Sequence, residues 1–271
     1  MLPHGTTVTF DTNTLDKAAR PERHPSDPAR ADFEKVHEAL KRGALRGFVC
    51  DTVVTLEGIQ RADRAKVFGS TSLARSHEET RTADGAVVHH VTLETTQPAR
   101  PALHPENARR FQAALSLGFR ALCVEPRIGL PRIDDPDKRI YLYENDDAKL
   151  RARLDRTFEA ARAIESRGFG MGPIQKIAAR LANRAGVTEP WYSSLDRANS
   201  SEEVAIAKAI AEWADGDTVA AHIGFQIEYL CTGDKGAKAG NSIFYPTQRA
   251  WLAATYGVQF LTISELAAMV A

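Results

Sequence analysis

The sequence predicts an α/β protein whose parallel sheet is covered by helices on both faces. Short apolar runs of strand length recur along the chain, among them TTVTF at residues 6–10 and GFVCD at residues 47–51. Segments with apolar residues at helical spacing lie between such runs, and near the C-terminus the strand-like LCTGD and VQFLT alternate with helical segments. Short strands that alternate with helices are typical of a parallel sheet buried on both sides.

Bulk composition is that of a soluble globular chain. The 271 residues are 43% hydrophobic and 26% charged, and the formal net charge is zero, which neither suggests nor excludes an anionic partner. The three cysteines form no Cys-X-X-Cys pair, which favours a reducing cytoplasm over a disulfide framework. The sequence shows neither a signal peptide nor a membrane-spanning apolar run. We therefore expect a cytoplasmic protein with no membrane partner.

The N-terminal elements are predicted in chain order. The first strand ends before Asp11, and three prolines in the polar stretch that follows argue against a continuous helix there. Asp32 is predicted to cap a helix that runs to about Lys41. GFVCD is predicted as the second strand, and TVVTLEGIQRA is predicted to turn into a helix.

Two successive helices are predicted before the strand LCTGD. The first is SSEEVAIAKAIAEWA at residues 200–214, which opens with a serine cap followed by acids. The second is DTVAAHIGFQIEY, which Asp217 begins, so that Asp215 is expected in a cap or turn between the helices. The chain then closes with a helix at WLAATYG, a strand at VQFLT and a helix at ISELAAMVA.

The middle of the chain has a different pattern. Between residues 61 and 199 the strand-like GAVVHHVTLET and FRALCVEPRIGL occur among charged helical segments, without a fixed-period repeat. We interpret residues 61–199 as a large α+β insertion or second lobe of unknown fold. Residues 1–60 and 200–271 are then predicted to form the core domain.

Four acids stand where a parallel sheet would bring them together. Asp11 follows the first strand, Glu57 lies on the element after GFVCD, and the last two acids begin a helix (Asp217) and end a strand (Asp234). Ligands in open α/β sheets bind outside the carboxyl ends of the strands. Several carboxylates in one place need a counter-charge, and Mg²⁺ or Mn²⁺ prefers oxygen ligands. Such an ion activates water and neutralises charge that develops on a phosphate, which predicts phosphodiester hydrolysis.

In order and spacing, these motifs resemble the PIN-domain nucleases. The resemblance rests on FDTNTL, TVVTLEGI, DTVAAHIGFQIEYLCTGD and VQFLTISEL, and it covers about half of the chain. It implies a three-layer α/β/α PIN-like domain and a metal-dependent nuclease, above all an endoribonuclease. The implied catalytic residues and metal ligands are Asp11, Glu57, Asp217 and Asp234. The implied supporting polar residues are Thr12, Asn13 and Thr232, with Asn241 or Ser242 after the last acid.

The chain also departs from this pattern. Asp215 lies two positions before Asp217 and is an alternative third ligand, although Asp217 is favoured because it lies on the helix side of Gly216. Small PIN-domain toxins have no counterpart of residues 61–199, which can supply substrate, partner or oligomer contacts. The resemblance further implies a possible homo-oligomer and an inhibitory protein partner.

Basic residues exceed acidic ones between residues 149 and 184. This excess suits a phosphate backbone, and a solvated helix face explains it equally well. RNA is the expected partner, with DNA as the alternative. The candidate nucleic-acid contacts are Lys149, Arg151, Arg153, Arg156, Lys176, Arg180 and Lys235.

Two other functions stay open at this point. One is a non-catalytic RNA- or protein-binding module that keeps the PIN-like fold. The other is a haloacid-dehalogenase-like phosphatase, because FDTNTL and TGDKGAKAGN also resemble that family's motifs. Such phosphatases usually place a second Asp two residues after the nucleophile, and this chain has Asn13 there.

Overall fold

A parallel sheet forms the centre of the computed structural model, which describes residues 5–124, 133–188, 190–236 and 242–270. The described strands are β1 (Thr6–Phe10), β2 (Leu45–Cys50), β3 (Ser72–Arg81), β4 (Val87–Thr96), β5 (Arg120–Leu122), β6 (Tyr229–Cys231) and β7 (Gln259–Leu261). Five of them form the central sheet in the order β5-β2-β1-β6-β7, with every pairing parallel. The predicted α/β class with a central parallel sheet is confirmed.

Helices cover both faces of this sheet. The described α-helices are α1 (Thr12–Ala19), α2 (Arg30–Lys41), α3 (Thr52–Thr55), α4 (Arg64–Gly69), α5 (Pro105–Ser116), α6 (Asp147–Ser166), α7 (Gly172–Ala185), α8 (Ser200–Phe225), α9 (Pro246–Tyr256) and α10 (Ile263–Met269). Three layers result, as expected for a parallel sheet whose crossover connections are helical.

Side chains alternate between the two faces along each strand, as the pleat requires. Val8, Phe10 and Val49 pack into the apolar layer that contains residues of α1, α2, α5 and α10. Phe48 and Cys50 point to the other face, where α4, α7 and α8 supply the apolar partners. Helices α6 and α9 extend that second layer over β6.

Residues 61–199 contribute directly to these layers. Strand β5 pairs with β2 at the edge of the central sheet, from Phe48 opposite Arg120 to Cys50 opposite Leu122. Helix α5 belongs to one apolar layer and α7 to the other. Strands β3 and β4 form a separate two-stranded antiparallel hairpin that the central sheet does not include.

The predicted break between two helices at residues 215–217 is wrong, because α8 runs unbroken through both acids. Asn199 caps it in a reciprocal arrangement with Glu202, in place of the serine cap. Gly216 lies in the helix interior for a packing reason: a Cβ there would be 2.6 Å from the Cα of Gly170. Glycine thus permits close approach of another segment instead of ending the helix.

Two other element boundaries differ from the prediction. Helix α2 begins at Arg30 with Ala29 as its N-cap, so Asp32 lies in the first turn instead of capping it. The TVVTLEGIQRA segment forms only the single turn α3, which its β-branched residues explain. Among the described helices, none combines the length and the apolar character needed to cross a membrane.

Candidate active site

Asp11 occupies the carboxyl edge of the sheet, directly after β1, and is only 6% exposed. Its carboxylate caps α1 by accepting a hydrogen bond from the Thr12 backbone N–H at 2.7 Å. The Thr232 hydroxyl, just beyond β6, donates to the same carboxylate at 2.7 Å, and the Asn13 side-chain amide donates to it as well. The side-chain Oδ1 of Asn13 accepts a hydrogen bond from the Gly233 N–H at 2.8 Å. These bonds join the ends of β1 and β6 around Asp11.

Glu57 approaches Asp11 from the neighbouring strand. It follows the single turn α3 after β2, and the Thr12 hydroxyl donates a hydrogen bond to its carboxylate. The glutamate is half-buried, and the negative charge of Asp11 acts on it. One threonine thus contacts both acids, through its backbone N–H and through its side chain.

Asp215, and not Asp217, is the acid of α8 that joins this group. Asp215 is half-buried and lies within electrostatic range of Asp11 and Glu57. Asp217 is 3% exposed and accepts a hydrogen bond from the Trp213 indole N–H at 2.8 Å in the apolar layer below. Residues two positions apart in a helix point in nearly opposite directions, at about 100° of rotation per residue. The preference for Asp217 over Asp215 is therefore corrected.

Asp234 lies at the solvent-exposed rim of the group. Its backbone N–H donates to the Thr232 hydroxyl at 3.1 Å, and its side chain accepts from the Gly236 N–H at 2.7 Å. Its charge acts on Asp11 and on Asp215. The carboxylates therefore range from buried Asp11, through half-buried Glu57 and Asp215, to an acid at the surface. We call Asp11, Glu57, Asp215 and Asp234 the acid cluster.

Burial and mutual repulsion raise the pKa values of three acids of this cluster, Asp11, Glu57 and Asp215. Burial raises the pKa of Asp11, against the hydrogen bonds from Thr232 and Thr12 that lower it. Burial, with the charge of Asp11 second, raises the pKa of Glu57 to about 7. The pKa of Asp215 is raised well above its usual range, first by burial and then by the charges of its acidic neighbours. The effects of burial and of like charge therefore outweigh the favourable interactions of these carboxylates.

Glu212 is a further acid that the sequence analysis did not select. It lies three residues before Asp215 on α8 and accepts a hydrogen bond from the Ile243 N–H at 2.9 Å. Burial raises its pKa to about 8, and the charge of Asp234 adds to the effect. The sequence does contain a sign of this proximity, since Glu212 and Asp215 are three positions apart and such residues share a helix face.

Three arginines, also not selected from the sequence, surround the acids. Buried Arg64 donates to the Ala207 carbonyl at 2.6 Å and lies within electrostatic range of Glu57 and Asp215. Arg110 of α5 acts electrostatically on Glu57, and its Nε is buried with no hydrogen-bond partner in the described ranges. Arg249 of α9 donates to the backbone carbonyl of Asp234 and acts electrostatically on Asp11.

The carboxylate oxygens of the acid cluster are chemically suited to bind a hard divalent cation. Within the described ranges, no three His, Cys, Asp or Glu side chains are gathered as a ready-made metal site. Carboxylates of the cluster instead accept hydrogen bonds from Thr12, Asn13 and Thr232. The ligand atoms that these carboxylates offer are oxygens, which Mg²⁺ and Mn²⁺ prefer. A bound cation would also relieve the repulsion that raises the pKa values. Asp11, Glu57, Asp215 and Asp234 are the residues that would hold it.

The remaining supporting residues have local roles or fall outside the description. Ser242 is buried, and its hydroxyl accepts a hydrogen bond from the Phe244 N–H at 3.1 Å, which stabilises a turn. Asn241 lies outside the described residues.

Most of the basic residues selected from the sequence lie away from the acids. The Arg153 guanidinium stacks on the Phe225 ring at 4.4 Å, and Arg156 donates to the Gly224 carbonyl at 3.1 Å. Both contacts are at the end of α8, and the chain there enters β6, which places them at the amino edge of the sheet. Arg180 pairs with Glu202 at 3.5 Å. The other four are exposed: Lys149, Arg151, Lys176 and Lys235. Of these, Lys235 follows Asp234 directly in the chain.

A cavity of about 440 Å³ opens at the same amino edge, lined among others by Arg156, His222 and Glu228. His222 is buried, and its Nδ1 lies 3.1 Å from the Thr9 hydroxyl. Burial lowers the pKa of His222 to about 3, so the imidazole is neutral at physiological pH. The cavity therefore belongs to the edge opposite the acid cluster.

Comparisons of the chain with family models, with curated proteins and with solved structures give no match. A functional assignment therefore depends on the acid cluster and its surroundings.

Proposed function

We propose that this chain is a divalent-metal-dependent nuclease that hydrolyses phosphodiester bonds, with RNA as the main substrate class. The observation that carries the proposal is the acid cluster at the carboxyl edge of a parallel sheet, where three acids have raised pKa values. Carboxylates gathered in this way are costly without a cation, and functional sites are where such costs concentrate. The choice of RNA follows the resemblance to the PIN-domain nucleases.

The residues of the chain have distinct roles in this proposal. Asp11, Glu57, Asp215 and Asp234 hold Mg²⁺ or Mn²⁺, which supplies activation of water and charge neutralisation at the phosphate. Thr12 and Thr232 orient the carboxylates through their hydrogen bonds. Arg110 acts electrostatically on Glu57, so its positive charge would also favour a phosphate that approaches the acids. The exposed position of Asp234 leaves the site open to a polymer.

Cleavage of labelled RNA and single-stranded DNA, in Mn²⁺, Mg²⁺ or EDTA, tests the proposal. We expect metal-dependent cutting by the wild type, and a loss on the order of 100-fold or more in Asp11→Asn and Asp215→Asn, since each removes a charge that would hold the cation. Asp217→Asn is the matched control on the same helix. An asparagine oxygen still accepts from the Trp213 indole, so activity should stay within a few-fold of wild type.

Calorimetric titration with Mn²⁺ and melting curves of each variant separate loss of the site from loss of the fold. Inactivity of Asp217→Asn beside an active Asp215→Asn would contradict the placement of the site. A folded wild type that binds Mn²⁺ and cuts no nucleic acid would favour the non-catalytic binding module.

The phosphatase alternative has less support. Asn13 donates its amide to Asp11 and carries no titratable proton, so it is not suited to act as an acid or base there. A phosphomonoester assayed beside the nucleic acids tests it directly, because rapid hydrolysis of that substrate alone would favour the phosphatase.

A further inference from the structure

Strands β3 and β4 form a long hairpin whose residues are exposed throughout. Each strand has ten residues, and they pair in antiparallel register from Ser72 opposite Thr96 to Arg81 opposite Val87. A two-stranded hairpin alone is marginally stable in water. Both outer edges also present backbone N–H and C=O groups that another strand can pair with.

The register gathers most of the large apolar side chains on one face of the hairpin, which we call the apolar face and which also carries both arginines of the hairpin. Arg75 lies opposite Leu93 and His77 opposite Val91, so residues with odd numbers share a face. That face carries four large, exposed apolar side chains, and Val91 and Leu93 are about half exposed, at 50% and 53%. The four are Leu73, Val87, Val91 and Leu93. The opposite face has Val88 as its large apolar side chain.

The charge of the hairpin does not suit a nucleic acid. Residues 72–96 contain two arginines and four acids. Phosphate backbones are bound by an excess of basic residues, which this segment lacks. A protein surface with matching apolar and charged groups is the better partner.

We propose that β4 pairs in antiparallel fashion with β4 of a second copy of this chain, about a two-fold axis at Thr92. In this register Val91 lies opposite the partner's Leu93, and on the other face His90 lies opposite the partner's Glu94. By symmetry each of these pairs occurs twice. The two apolar faces join on the same side of a four-stranded sheet, and the β4 edges pair their free backbone groups.

Other registers of the β4–β4 pairing, and pairing through the β3 edge, bring together less complementary side chains. An axis at Val91 places Val88 opposite the partner's Glu94, and an axis at Leu93 places Val91 opposite the partner's Thr95. Pairing through β3 would use the strand that carries only Leu73 among the four apolar residues of the apolar face. It would leave Val91 and Leu93 uncovered at the outer edge.

Cross-linking through a single introduced cysteine tests the register. Opposed Cα atoms in an antiparallel pair are about 4.5–5.5 Å apart, within reach of a disulfide. Under mild oxidation of the full chain, Thr92→Cys should give a covalent dimer on a non-reducing gel. Thr80→Cys, an exposed threonine on the same face but on β3, is the matched control and should give no covalent dimer on the gel. Wild type, with only its own cysteines, should give none either.

Light scattering after size exclusion provides a second readout that needs no cysteine. Wild type should be a dimer at tens of micromolar, and Val91→Lys/Leu93→Lys should be a monomer with an unchanged far-ultraviolet spectrum. Equal or absent cross-linking of Thr92→Cys and Thr80→Cys, or a monomeric wild type at every concentration, would overturn the proposal. Neither readout depends on the nuclease proposal.

Discussion

At the scale of single residues, Asp11 has the most constrained environment in the acid cluster. Three donors, Thr12 and Asn13 at the start of α1 and Thr232 just after β6, bind its carboxylate, and these bonds lower a pKa that burial raises. Hydrogen bonds to a carboxylate favour its charged form, so they oppose the effect of burial, while the pKa of Asp11 stays raised. The pKa values of its neighbours Glu57 and Asp215 are raised as well, first by burial and then by neighbouring negative charge.

Glu212 leads to a prediction about stability and pH. Its pKa is about 8 in the folded protein, against an ordinary value of 4.5, so the folded chain keeps a proton that the unfolded chain loses between these two values. The contribution of Glu212 to the stability of the metal-free protein therefore falls as pH rises from about 4.5 to about 8. Glu212→Gln should remove this loss and raise stability by at least about 1 kcal/mol near pH 9, where each pKa unit corresponds to about 1.4 kcal/mol.

Melting curves in EDTA at about pH 4 and pH 9 provide the measurement. The glutamine oxygen still accepts from the Ile243 N–H, so the two proteins should differ little at the acidic pH. Glu203→Gln, an exposed glutamate on the same helix, is the control and should leave the pH dependence unchanged. A Glu212→Gln variant that is less stable than wild type at pH 9 would show that the ionised Glu212 carboxylate does not destabilise the folded protein.

At the scale of elements, α8 decides which acids meet. Because the helix is unbroken, Glu212 and Asp215 share the face toward the acid cluster, while Trp213 and Asp217 pair on the face toward the apolar layer. The sequence predicted helix on either side of Gly216, and the acids beside it looked like a cap. The reason for a glycine at position 216 is its close approach to Gly170, a residue distant in sequence, which no local pattern reveals.

Gly216→Ala tests that contact. Alanine is favoured over glycine in helices by about 0.5–1 kcal/mol, so helix propensity alone predicts stabilisation. The new Cβ would lie 2.6 Å from the Gly170 Cα, and backbone atoms cannot rotate away as a flexible side chain can. We therefore expect destabilisation by about 1–3 kcal/mol, measured by urea unfolding.

Gly172→Ala, at the start of α7, is the control for this substitution. A Cβ at that position would be 3.5 Å from the nearest atom, an ordinary contact, and stability should change little. If Gly216→Ala were as stable as wild type, the close approach of α8 to Gly170 would not be required for packing.

At the scale of the whole molecule, the sequence predicted the parallel sheet, most of its strands and the carboxyl edge as the place of the acids. Alternating apolar segments predict strands and helices because burial imposes their periods. The position of residues 61–199 was not predictable in this way, since β5 joins the sheet through a pairing with β2 that depends on distant packing. The selection of Asp217 failed for a related reason, since a helix face is assigned only when the helix is known to continue.

The hairpin supports a last prediction, because it forms its pairings internally and is not part of the central sheet. At its base, Ser72 and Thr96 are joined by their hydroxyls at 2.6 Å, and the Gln97 side chain donates to the Thr71 hydroxyl at 3.1 Å. Replacing residues 73–95 with an Asn-Gly turn should keep this base, since such turns connect paired strands. The shortened chain should be monomeric and should bind Mn²⁺ as wild type does.

The melting temperature of the shortened chain should lie within about 4 °C of that of Val91→Lys/Leu93→Lys, which is the matched monomer. In a chain of this size a difference of 1 kcal/mol corresponds to about 2–4 °C. A much lower melting temperature would mean that the hairpin stabilises the α/β core, and loss of Mn²⁺ binding with the fold intact would mean that it supports the acid cluster.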